Sequence, residues 1–103
     1  MRIQLDYVNP EKTGMEVLLD GVLRELERHF VELRASSSQD PQGIRLKLWS
    51  SAWNYESGPH PLADFEDLNE ILQLMHGELL ESALTIDSST LEQIMLRGLT
   101  QKL

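Results

Sequence analysis

Apolar residues recur in this chain with two different periods, and the order in which those periods change restricts the fold more than any other feature. Ile3, Leu5 and Tyr7 alternate with Arg2, Gln4 and Asp6, the period of a strand with one buried face. After Asn9 and Pro10 the spacing becomes helical. Met15, Leu18, Leu19, Val22, Leu23, Leu26, Phe30 and Leu33 share one side of a helix expected over residues 14–34, with Thr13 and Glu16 at capping-box spacing. Ser36, Ser37, Ser38, Asp40, Pro41 and Gly43 then cluster as a loop. Ile44, Leu46 and Leu48 alternate with Arg45, Lys47 and Trp49 as a second one-sided strand. Trp53 to Glu56 is a candidate third strand, hairpinned to the second and ended by Gly58-Pro59.

A second long helix is expected from between Pro61 and Asp64 to about Ala83. At roughly 100° per residue, Leu68, Ile71, Leu72, Met75 and Leu79 form one stripe, flanked by Phe65 and Ala83, while Glu66, Asp67, Glu70, Gly77, Glu78 and Glu81 fall opposite. A third helix over 89–101 follows from the spacing of Ser89 and Glu92 and the apolar face of Leu91, Ile94, Met95 and Leu99.

Strand, helix, strand, short strand, helix describes an α+β domain: a two-layer β-α-β-β-α sandwich with its helices on one face of a small sheet. Residues 1–84 make that domain, and residues 85–103 extend it with a C-terminal helix that covers its surface or makes a homodimer contact. The other sheet face should be open, with Arg2, Arg45, Lys47 and Trp49 projecting from it. At 103 residues the chain suits one domain that buries roughly two-thirds of its unfolded surface. It has no Cys, which excludes disulfides, thiolate metal sites and cysteine nucleophiles. Without a signal-like N-terminus or a membrane-length apolar run, a soluble cytoplasmic protein is expected.

Charge is distributed unevenly along this pattern. The first 47 residues hold eight acids and seven bases, whereas Glu56, Asp64, Glu66, Asp67, Glu70, Glu78, Glu81, Asp87 and Glu92 lie between Lys47 and Arg97 with no Lys or Arg among them. Nearly all of the net charge of −8 therefore belongs to the second half. Helix-dipole complementarity explains Asp64, Glu66 and Asp67 in a first turn. It does not explain Glu78 and Glu81 near the far end, and like-charge neighbours such as Glu66 and Glu70 cost about 0.2 to 0.5 kcal/mol per pair. A solvated helix face is the plain account of such a run, and a surface for a basic partner is the other.

Met1-Arg2-Ile3, the run Leu23-Arg24-Glu25-Leu26-Glu27-Arg28, the strand Ile44-Arg45-Leu46-Lys47-Leu48 and the segment Asp67-Leu68-Asn69-Glu70-Ile71-Leu72-Gln73 resemble the DinI-like family of DNA-damage-inducible proteins, small modulators of the recombinase RecA in the SOS response. The resemblance covers residues 1–84 and implies a β-α-β-β-α fold whose acidic second helix engages RecA, imitating the charge of a DNA backbone. Carried over by position, the partner-binding residues are Glu66, Asp67, Glu70, Glu78 and Glu81. The long 35–43 loop and the extra C-terminal helix depart from the family pattern.

Other functional classes have less behind them. A stoichiometric inhibitor of immunity or antitoxin type, neutralising another basic nucleic-acid-binding protein, would carry the same ridge. The open face with Arg2, Arg45, Lys47 and Trp49 offers a basic, aromatic platform for single-stranded nucleic acid, but a pI near 4.7 argues against direct nucleic-acid binding. His60 and Asp64 are one turn apart with Pro61 between them. His29, His60 and His76 are scattered, Asp67 and Glu70 alone would hold a divalent ion weakly, and the serines at 36–38 and 88–89 have no neighbouring base. No enzyme activity, metal or other cofactor is expected.

Overall fold

The computed structural model describes residues 14–82, 84 and 86–100. The strand expected over Arg2 to Val8 lies outside the described residues, as do Thr13 and Ala83. Helix α1 spans Met15–His29. An antiparallel sheet follows, ordered β1 (Arg34–Asp40), β2 (Gly43–Trp49) and β3 (Asn54–Glu56). Helices α2 (Phe65–Leu80) and α3 (Ser88–Thr100) complete a mixed α+β domain.

The short third strand forms, and β2, α2 and α3 fall where the periodicity put them. The first helix ends five residues early. Phe30 turns to extended backbone, its N–H still bonded to the Leu26 carbonyl, and Leu33 reaches the core from the turn rather than from a helix. The expected serine loop is instead a strand, so three strands separate the first two described helices where the resemblance implies two. Polar β1 sends only Ala35 into the core; pairing rather than side-chain burial makes it a strand. Its seven residues run in register with β2 from Arg34↔Trp49 to Asp40↔Gly43. The turn is set by Asp40, whose carboxylate accepts the Gln42 N–H at 2.9 Å.

Gly43 is required at the end of that turn. Its φ is +146°, and a Cβ there would lie 2.2 Å from the His60 carbonyl oxygen. That close approach lets Ile44 and His60 exchange backbone hydrogen bonds of 2.8 and 2.9 Å, which fixes His60 at the end of β2.

Ala35, Ile44, Leu46 and Leu48 point to the helices and join one core with Leu18, Leu19, Val22, Leu23 and Leu26 of α1, Leu68, Ile71, Leu72, Met75 and Leu79 of α2, and Leu91, Ile94, Met95 and Leu99 of α3. Arg34, Ser36, Ser38, Arg45 and Lys47 alternate outward on the uncovered face. A further device ties α1 to the sheet: Arg24 donates to the Ala35 carbonyl at 2.6 Å while Glu27 accepts the Ala35 N–H at 2.9 Å, so both outward backbone groups of an edge residue are satisfied by helix side chains.

The third helix packs chiefly against α1. Their contact is backbone to backbone at Gly98, where a Cβ would lie 2.6 Å from Val22 Cα and 2.8 Å from the Gly21 carbonyl. Beside it Glu25, 3% exposed, takes Arg28 and Arg97 guanidinium groups at 3.3 and 3.7 Å.

Candidate functional site

The second helix starts at a side-chain cap. Asp64 accepts the Asp67 N–H at 2.9 Å, and Asp67 reaches back to accept the Ala63 N–H at 2.9 Å. Asp67 is thereby committed to holding the helix start and is half-buried rather than on the outer crest. Glu78 is also half-buried, on the flank toward β3. Burial, with the charge of Glu78 nearby, pushes the Tyr55 phenol above its ordinary value. Of the five carboxylates expected to form one ridge, Glu66, Glu70 and Glu81 are exposed, whereas Asp67 and Glu78 are half-buried on its flank.

The outer face of α2 therefore carries Glu66, Glu70, Leu74, Gly77 and Glu81 along successive turns, with Gln73 and Leu80 beside them. Glu70 meets His60, whose Nε2 lies 3.6 Å from its carboxylate, while Nδ1–H donates to the Pro61 carbonyl at 2.7 Å. His60, Glu70, Gln73 and Leu74 together border a shallow depression of about 350 Å³. On the opposite flank His76 contacts the backbone carbonyl and hydroxyl of Ser88 at 3.3 and 3.2 Å, which joins α2 to the first turn of α3. The third helix then runs along α1 and leaves the outer face of α2 open.

No family model, curated protein or solved structure matches the chain.

The sheet's open face is less basic than its residue order implies. Arg45 donates to Asp40 at 2.8 Å, and that guanidinium, with the Gln42 N–H, holds the Asp40 carboxyl below the usual range. Lys47 lies over the Trp49 ring, 5.2 Å from its centroid, and faces Glu56 in register. Arg34 turns to the Val31 and Leu33 carbonyls. Arg34, Arg45 and Lys47 against Asp40 and Glu56 leave one net positive charge on this face among the described residues, with the Trp49 ring already occupied by an ammonium. Arg2 lies outside the described residues. A groove of about 180 Å³ between Ser36, Ser38, Arg45, Lys47, Glu56 and Ser57 is lined by both signs of charge.

Among the described residues, no group of three or more His, Asp or Glu side chains converges as a metal site would need, and no helix is long and apolar enough to cross a membrane. His60 and Asp64 are engaged separately, by Glu70 and Pro61 and by the start of α2.

Proposed function

We propose that the protein acts by binding, without chemistry of its own, and that the outer face of α2 docks on a basic protein partner. The observation that carries this reading is the exposure of Glu66, Glu70 and Glu81 along one open helix face while α3 packs elsewhere. Sequence composition supplies the reason to prefer a basic partner: no Lys or Arg lies between residues 47 and 97 to balance these acids. Carboxylates on an open face steer a basic surface into register and set association rate more than final affinity. The DinI-like resemblance names RecA, in its filament on single-stranded DNA, as the partner to try first. In that setting the acidic helix would occupy a surface that otherwise meets nucleic acid.

The test is co-sedimentation with RecA filaments on single-stranded DNA, beside free RecA and bare DNA. Wild-type protein should pellet with filaments, less so as salt rises, because exposed charges are screened within about 10 Å at 0.1 M salt. Glu70→Lys should abolish pelleting while its thermal unfolding stays within about 0.5 kcal/mol of wild type. Absence of filament binding at micromolar concentrations removes RecA and leaves the inhibitor reading, for which Glu70→Lys should weaken capture of another basic nucleic-acid-binding target.

A further inference from the structure

The centre of the α2 face is apolar, which neither a solvated helix nor a simple imitation of a phosphate chain requires. Leu74 is 46% exposed and Leu80 38%. They lie three residues either side of Gly77, so the three form one inclined row across the face that rises about 9 Å along the axis and turns about 120° around it. Glu66 and Glu70 stand at one end of the row and Glu81 at the other, with Glu70 and Glu81 about 16 Å apart along the axis. Single exposed leucines are ordinary on any surface, and Val17 and Val31 are exposed on other elements. Two leucines on one helix face, separated by a bare glycine and fenced by carboxylates, make the arrangement of an interface: apolar anchors inside a charged rim.

Gly77 adds a second reason. A Cβ at Gly77 would meet nothing within 4 Å, so packing within the fold does not demand glycine there. Glycine in a helix interior costs about 1 kcal/mol relative to alanine. The same chain uses a glycine at a helix crossing internally, where Gly98 lets α3 come down onto Val22. On the outside, Gly77 leaves the α2 backbone open to an equally close neighbour.

We infer that the occupant of this face is a basic amphipathic protein helix, which lays apolar side chains over Leu74, Gly77 and Leu80 and sets its Lys or Arg residues against Glu70 and Glu81. This rests on the reading of the α2 face as the docking surface and specifies the chemistry of what docks there. A helix laid on the apolar row matches its rise, since anchors two turns apart on the partner, at i and i+7, are separated by about 10 Å, close to the separation of Leu74 and Leu80 along the axis.

Two fluorescent synthetic helical peptides of equal length and charge, one built of Lys and Leu and one of Lys and Gln, test the idea by anisotropy. The Lys/Leu peptide should bind at least about tenfold more tightly, a ratio within reach of one well-buried apolar anchor. Leu74→Ser and Gly77→Gln should each remove most of that advantage without changing Lys/Gln binding or unfolding the domain, the Gly77→Gln melt rising by a few degrees because glutamine is the better helix former. Glu70→Lys should weaken both peptides. Equal binding of the two peptides, unaffected by Leu74→Ser but lost with Glu70→Lys, would overturn the apolar seat and leave a purely electrostatic surface. Binding of neither peptide would overturn both the seat and the docking reading.

Discussion

Gly98 and Gly77 are both helical, yet the structure predicts opposite signs for the same substitution at the two positions. In Gly98→Ala the new methyl would lie 2.6 Å from Val22 Cα, 2.8 Å from the Gly21 carbonyl and 3.0 Å from Val22 N, whereas ordinary contacts begin near 3.4 Å. All three neighbours are backbone, so no side chain can rotate away; α3 must withdraw from α1 by roughly 1 Å, loosening contacts that bury Leu91, Ile94, Met95 and Leu99. Overpacking of this kind costs about 1–3 kcal/mol, and a backbone obstacle places it at the upper end. Alanine's helical preference returns about 1 kcal/mol. The net loss of about 2 kcal/mol should lower the thermal midpoint by about 8–16 °C, taking 4–8 °C per kcal/mol for a domain of this size. Gly77→Ala meets only solvent and should raise the midpoint by about 2–8 °C, from a gain of about 0.5–1 kcal/mol. Far-UV circular dichroism melts of both variants, with urea titrations to confirm that the transition stays two-state, measure the pair. A Gly98→Ala protein that melts at or above wild type would refute the close approach of α3 to α1.

Three further outcomes follow from the geometry. Asp64→Ala deprives the Asp67 N–H of its acceptor and should cost about 1 kcal/mol in urea unfolding, with Asp64→Asn close to wild type. Leu48→Ala opens a cavity under the sheet and should cost about 2–5 kcal/mol by the same measurement. Asp40 is held below the ordinary carboxyl value of 3.8 by Arg45 and the Gln42 N–H, and Asp87 below it by the N–H and hydroxyl of Thr90. A depressed carboxyl stabilises the fold above its ordinary value and ceases to as pH falls through the folded one, so the melting temperature should drop below about pH 4 and the double variant Asp40→Asn, Asp87→Asn should flatten that drop. A pH profile identical to wild type would sink this assignment.

The elements legible in the sequence are those whose own apolar pattern defines them. Ile44, Leu46 and Leu48 alternate, and Leu68, Ile71, Leu72, Met75 and Leu79 form a stripe, so burial and periodicity coincide in β2 and α2. Strand β1 was hidden because its evidence lies in another segment: serines that usually mark a loop become a strand by pairing with β2, and Asp40 with Gly43 was the local hint of a turn. Leu33 continued the helical count of α1 by coincidence of spacing; it is buried from a turn. The candidate site was legible as a charged helix but not as a shape. Asp67 and Glu78 lie on the edge of the polar arc, where a few tens of degrees decide between crest and flank, and the cap at Asp64 and the side chain of Tyr55 settle the matter. Leu74 and Leu80 fall off the apolar stripe at about 100° per residue, in keeping with their exposure, but nothing in the spacing assigned them a role.

The contact between Gly98 and Val22 also sets a schedule. Met15–His29 leaves the ribosome 71 residues ahead of Thr100, an interval of roughly 4 to 14 seconds at about 5–20 residues per second. Throughout it, the side of α1 that Leu91, Ile94, Met95 and Leu99 will cover stays wet and apolar. Nascent protein is thus most exposed to mispairing and to proteases before α3 arrives, and changes that weaken the docking of α3 should reduce cellular yield more than they alter the finished molecule's affinity for anything it meets.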